Sequence, residues 1–153
     1  MTETDGLLFE DFTVGRQFVT PGVTVTDAAV IDFGFQYDPQ PFHIDREAAK
    51  ISIFGGLIAS GFHTLALSFR LFSMLGTLKN NLGGPGLDDV RWLKPVFAGD
   101  TIHCRITVAA ATPSRSKPDR GTLKWAFETL NHKSEVVMTA TMLSFMRRRE
   151  SGQ

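Results

Sequence analysis

One cysteine, Cys104, occurs among 153 residues, so no intrachain disulfide can form. A disulfide-stapled fold is excluded, and a reducing compartment fits. Charge of either sign is not in excess. Sixteen basic and sixteen acidic side chains cancel, which removes the electrostatic case for nucleic acid as the main partner. No apolar run approaches the roughly 18 residues of a membrane span. The opening residues Met1-Thr2-Glu3-Thr4-Asp5 are acidic and polar, unlike a signal peptide. The expectation is a cytoplasmic protein with neither a nucleic-acid nor a membrane partner. Tyrosine is nearly missing, one residue against 13 phenylalanines, which implies a dry, apolar interior. The length suits one domain over 1–153, since about 100–200 residues per domain is usual. It is enough to bury a sizeable core.

What is present divides into an early helical part and a later part with period two. A strand spans Gln17 to Val25, bent at Pro21-Gly22. Thr26 is placed to cap a helix that runs to about Gln36, with Asp27 in its first turn. Asp45 begins a second, short helix through Lys50. The Gly-rich run Phe54 to Gly61 leads into a longer helix from about Phe62 to Leu75. Phe62, Leu65, Phe69, Leu71, Phe72 and Met74 cover most of its circumference, which predicts burial on nearly all sides. Gly83-Gly84-Pro85-Gly86 reads as a loop, with a strand from Val90 to Leu93 after it. Beyond Ala98-Gly99-Asp100, a turn, Ile102, Cys104, Ile106 and Val108 alternate with Thr101, His103, Arg105 and Thr107. Pro113 to Gly121 is a basic loop. Leu123, Trp125 and Phe127 point inward on the next strand. Asn131 to Ser134 turns the chain into a last strand, Glu135 to Met146, and Arg147-Arg148-Arg149 reads as a solvated end. Helices first and antiparallel strands after make an α+β pattern. Four or five strands would wrap one buried helix.

The chemistry concentrates in Tyr37-Asp38-Pro39-Gln40-Pro41-Phe42-His43. A carboxylate and an imidazole stand five residues apart, and His changes charge nearest neutral pH. Two prolines fix the backbone between them, so the segment reads as a stiff turn at a helix end. Two readings follow from the spacing: a pre-organised acid/base pair, or a structural Asp–His hydrogen bond that closes the turn. His63 falls in the first turn of the longer helix, facing either a substrate pocket or a backbone group. His103 and His132 read as surface residues, and the four histidines lack the spacing of metal ligands.

The Asp38-Pro39-Gln40-Pro41-Phe42-His43 run resembles the Asp-x-Asn-Pro-x-His signature of MaoC-like dehydratases and (R)-specific enoyl-CoA hydratases. Phe54 to Gly61, Arg91 to Val96 and Ala98 to Thr101 resemble three further segments of that family in the same order. The resemblance extends from about residue 8 to 147. It implies a hotdog fold, a curved antiparallel sheet around a central helix, working as a homodimer or an assembly of dimers. It implies Asp38 and His43 as the catalytic pair. Gly61 is then the backbone donor to the thioester oxygen, with Phe62, Gln40 and His63 beside it. Two residues depart from the signature: Gln40 replaces the usual Asn, and Pro39 directly follows the aspartate. The implied reaction adds or removes water across the 2,3 bond of an acyl-CoA or acyl-carrier thioester. It needs no metal and no cofactor besides the coenzyme A of the substrate. Arg91, Lys94, Arg115, Lys117 and Arg120 are the candidates for its phosphates. A hotdog thioesterase and a non-catalytic acyl-CoA-binding protein are the alternatives.

Overall fold

In the computed structural model residues 6–150 are described, so the acidic lead at residues 1–5 lies outside the described residues. The bend at Pro21-Gly22 divides the first extended segment into β1, Gln17–Val19, and β2, Val23–Thr24. Three short or medium helices follow: α1, Asp27–Tyr37, α2, Pro41–Ile44, and α3, Arg46–Lys50. Thr26 caps α1 by accepting from the Ala29 N–H, and Asp45 caps α3 by accepting from Glu47 and Ala48. The central helix α4 spans Gly61–Ser73. Four long strands complete the chain: β3, Asn81–Trp92, β4, Thr101–Pro113, β5, Arg120–Asn131, and β6, Val136–Arg147.

The described strands form one antiparallel sheet of six, in the order β1-β4-β5-β6-β3, with β2 also paired to β4. The α+β expectation therefore holds, and the two short strands bring the count above the four or five expected. Alternation along β4 sends Ile102, Cys104, Ile106 and Val108 fully inward. Phe12, Phe18, Phe72, Trp125 and Phe127 meet in one aromatic cluster between α4 and the sheet. Trp125 satisfies its only donor within that cluster by a 2.8 Å hydrogen bond to Ser144 Oγ.

Four expectations need correction. Helix α4 is not buried all round. Its inner face carries His63, Thr64, Ser68, Leu71 and Phe72, whereas Phe62 and Phe69 are exposed, as is Met74 just beyond its end. Residues Gly83 to Gly86 are not a loop but part of β3, which stays paired to β6 through register shifts at Gly83 and Gly86. Pro41 does not stop the chain from coiling. It sits at the first position of α2, where its missing N–H costs nothing, so His43 lies on a short helix and not on an open turn. Finally, Arg148 and Arg149 are not simply solvated: they pair with Glu10 and Asp11.

Candidate active site

Asp38 ends α1, its N–H bonded to the Gly34 carbonyl. The proline after it holds it out of the helical region, so the carboxylate leaves the helix axis. Gln40 and Pro41 then start α2, and His43 follows two residues later. Helices α1 and α2 touch at Gly34, where a Cβ would lie 3.0 Å from the His43 Cβ. Behind His43 runs the extended segment 57–59. The Ile58 N–H donates to the Phe42 carbonyl at 3.1 Å, and Ala59 N–H donates to the Val96 carbonyl at 2.8 Å. The imidazole is therefore gripped between α1 and this segment, and it is 4% exposed.

The two ring nitrogens have different partners. Nδ1 lies 2.7 Å from the Ile58 carbonyl, which can only accept, so Nδ1 carries a proton. Nε2 is thereby left to face Asp38 Oδ2 at 3.2 Å. The carboxylate has further donors: Ser60 Oγ–H to Oδ2 at 2.7 Å and Gln40 Nε2–H to Oδ1 at 2.8 Å. Burial pushes the Asp38 pKa up. The hydrogen bonds from Ser60 and Gln40 and the charge on His43 outweigh that, and the net effect holds the carboxyl below its ordinary value. The longer amide at Gln40 thus does bond the aspartate despite Pro39.

Ser60 has a second task. Its hydroxyl oxygen accepts from the Phe62 N–H at 3.3 Å, which makes it the N-cap of α4. The Gly61 N–H belongs to the first turn, where no intrahelical acceptor exists, at the positive end of the helix dipole. The Trp92 indole packs against Gly61, and its Nε1–H donates to the Gly61 carbonyl at 2.9 Å. A Cβ on Gly61 would come within 2.4 Å of that ring. Asp38, Gln40, His43, Gly61, Phe62 and Trp92 all line one cleft of about 450 Å³. So five of the six residues singled out in the sequence come together.

The sixth does not. His63 is buried at 7% exposure, stacked on Phe33 with centroids 4.6 Å apart, and is not among the cleft's lining residues. Its Nδ1 has no hydrogen-bond partner. Burial, and secondarily the charge on His43, push its pKa down. Of the five cationic candidates for phosphates, Lys94 lines the cleft. Arg115 and Lys117 belong to the β4–β5 connection and Arg120 opens β5, at the end of the sheet where Arg120 pairs with Arg147. Leu93 bonds Val137 at the opposite end of β6. Ser60 and Trp92 are the contributors that the sequence did not reveal. A serine just before a helix signals a cap, but nothing local signals its bond to Asp38.

A family model, that of the MaoC like domain, matches residues 11–125. The chain belongs to the MaoC-like family. It is similar to an uncharacterized protein, YdeM, of Bacillus subtilis, at 30% identity over 140 residues, covering 91% of this chain and 98% of that one. It is also 30% identical over 112 residues to an (R)-specific enoyl-CoA hydratase of Rhodospirillum rubrum, covering 70% of this chain and 73% of that one. Among solved structures, a MaoC-like dehydratase from Rhodospirillum rubrum superposes with a TM-score of 0.88 at 41% identity, covering 95% of this chain and 99% of that one. A Mycobacterium tuberculosis protein with a double hotdog fold matches at TM-score 0.81 and 19% identity, covering 97% of this chain and 46% of that one. This MaoC-like chain therefore has the hotdog fold, with α4 as the helix that the sheet wraps.

Proposed function

We propose that this MaoC-like protein hydrates 2-enoyl thioesters, or dehydrates the 3-hydroxyacyl thioesters in reverse, with Asp38 and His43 as the acid/base pair. The observation that carries the reading is the 3.2 Å approach of His43 Nε2 to Asp38 Oδ2 in a cleft that also contains the first turn of α4. In hydration, the Asp38 carboxylate takes the proton that water loses as its oxygen bonds C3. His43, protonated on Nε2, delivers a proton to C2. The proton then on Asp38 passes to Nε2 across the short gap, and both groups return to their starting states. Each proton transfer is worth roughly 10²–10⁴-fold when well placed.

Negative charge gathers on the thioester oxygen as the new bond forms at C3. The Gly61 N–H, at the positive end of α4, is the donor assigned to it, and glycine lets the substrate approach the backbone. Gln40 and Ser60 hold the carboxylate ionised and aimed. The reaction as proposed uses neither metal nor cofactor; coenzyme A enters as part of the substrate, and Lys94, which lines the cleft with its Nζ paired to Glu135, is the cation proposed to meet its phosphates. A homodimer is the proposed working form, in the cytoplasm.

The test is direct. Purified protein should consume the conjugated double bond of crotonyl-CoA or longer 2-enoyl-CoA esters. Asp38→Asn and His43→Ala should each lower the rate by at least about a hundredfold while circular dichroism stays unchanged. Release of free thiol instead would move the assignment to a thioesterase. Tight acyl-CoA binding with no turnover would make the protein a binding module.

A further inference from the structure

Trp92 closes β3, the strand at one edge of the sheet, yet its indole reaches the first turn of α4. The Nε1–H donates to the Gly61 carbonyl at 2.9 Å. That carbonyl shares its peptide unit with the Phe62 N–H, which donates to Ser60 Oγ at 3.3 Å. The Ser60 hydroxyl donates in turn to Asp38 Oδ2 at 2.7 Å, the oxygen that faces His43 Nε2. Hydrogen bonds thus run in series from the edge strand to the carboxylate. Chemistry fixes their direction. An indole N–H and a backbone N–H only donate, and a carbonyl and an ionised carboxylate only accept. Ser60 alone can turn either way, and its neighbours on both sides hold it in this sense.

We propose that Trp92 is a positioning residue for the reaction, the first donor of a one-way hydrogen-bond chain that ends on the Asp38 carboxylate. This rests on the acid/base role proposed above for Asp38. Bonds in series polarise one another, by about 10–30% per bond. Donation to the Gly61 carbonyl makes the Phe62 N–H a stronger donor, and that makes the Ser60 hydroxyl a stronger one. The ionised form of Asp38 gains, in the direction in which its carboxyl is already displaced. Packing alone asks for no nitrogen: a phenyl ring can also cover Gly61 and meet Phe62 edge-on, as the indole does at 5.7 Å. The glycine has a part in this as well. A Cβ at position 61 would lie 2.4 Å from the indole and push its N–H out of reach of the carbonyl. The titratable groups around Asp38 are His43 on α2, in contact with it, His63 on α4, stacked on Phe33 of α1, and Lys94 after β3, paired with Glu135. Trp92 bonds none of them, so its effect on Asp38 travels through Gly61 and Ser60.

The experiment follows the Asp38 carboxyl by carbon NMR in the full chain, with its signal assigned by loss in Asp38→Asn. The expected result is a titration about 0.3 pH units or more higher in Trp92→Phe than in the unaltered chain, and higher still in Ser60→Ala. Replacing Trp92 by 3-benzothienylalanine, a bicyclic isostere without the N–H, should give the same rise with the packing kept. It also serves if Trp92→Phe does not fold. In the Ser60→Ala background, Trp92→Phe should raise the titration no further. The acidic limb of crotonyl-CoA hydration should move up with the carboxyl, because a base that protonates earlier is lost at higher pH. If no enoyl-CoA is hydrated but the titration rises as stated, the reaction is wrong and the chain from Trp92 stands. Hydration with an Asp38 titration unmoved by both replacements overturns the chain and leaves Trp92 as a cover for Gly61. Shifts that add in full in the double variant also overturn it, since Trp92 then acts on Asp38 by a route that avoids Ser60.

Discussion

Ser60 shows how much one hydroxyl can hold. Its proton goes to Asp38 Oδ2 and its oxygen accepts from Phe62 N–H, so one side chain joins the proposed acid/base pair to the helix that carries Gly61. Replacing it with alanine removes a cap and a charge-assisted bond together. Ser60→Ala should cost about 1–2 kcal/mol of stability, read from denaturant midpoints. It should also let the Asp38 pKa rise. The sign is fixed by linkage: a carboxyl held below its ordinary value adds stability above that value and loses it as pH falls through the folded pKa. The acidic limb of the activity profile should therefore move to higher pH in Ser60→Ala. An unmoved limb would reduce Ser60 to a cap. Asp38 and His43 were legible in the sequence because five residues and two prolines confine them locally. The partners that tune them were not, since Ser60 is 22 positions and Trp92 more than 50 positions along the chain from Asp38.

At the scale of elements, the contact of α1 with α2 is made at Gly34. A Cβ there would meet Ile44 Cγ2 at 2.8 Å and the His43 backbone oxygen at 3.1 Å. Alanine in mid-helix would gain about 1 kcal/mol in propensity, but overpacking costs typically 1–3 kcal/mol. The second effect wins, because His43 is held from behind by Ile58 and has no room to retreat. Gly34→Ala should lower kcat far more than its modest loss of stability suggests, since α2 must shift by tenths of an ångström and take Nε2 away from Asp38. Kinetics set beside thermal melting would check this. Element boundaries were readable wherever a cap or a proline marks them, at Thr26, Asp45 and Pro21-Gly22. They were misread where pairing overrides local preference. Gly83 to Gly86 has the composition of a loop, yet β6 holds it in the sheet with bulges. The apolar circumference of α4 predicts a core helix, but two of its phenylalanines, Phe62 and Phe69, are exposed at the mouth of a cavity, and the composition of such a helix matches that of a buried one.

On the scale of the whole molecule, the two ends of the described chain meet. Arg148 pairs with Glu10, Arg149 pairs with Asp11, and Asn80 bonds the Leu7 carbonyl. Burial raises the pKa of Glu10 and Asp11, but bonds from the Arg149 N–H and Arg148 for the first, and from the Leu8 N–H and Arg149 for the second, bring both below ordinary carboxylate values. The pairs are partly solvated, so the Arg148→Ala/Arg149→Ala variant should lose only about 1 kcal/mol. That deficit should shrink in about 1 M salt and disappear as pH falls through the folded pKa values of the two acids. The α+β architecture was legible because β4, β5 and β6 alternate over most of their length; the closure of the ends was not, because the pairs lie 138 positions apart. Cys104 has a different consequence. It is the chain's one thiol, wholly buried between α4 and β5, and burial pushes its pKa up. A thiol-modifying reagent can reach it only after helix and sheet separate. The speed at which the native protein takes up such a label is therefore a clock for global opening. With reagent in large excess, that speed should level off at the unfolding rate measured by denaturant jump. Any acyl-CoA that occupies the folded protein should slow the clock in proportion to its saturation.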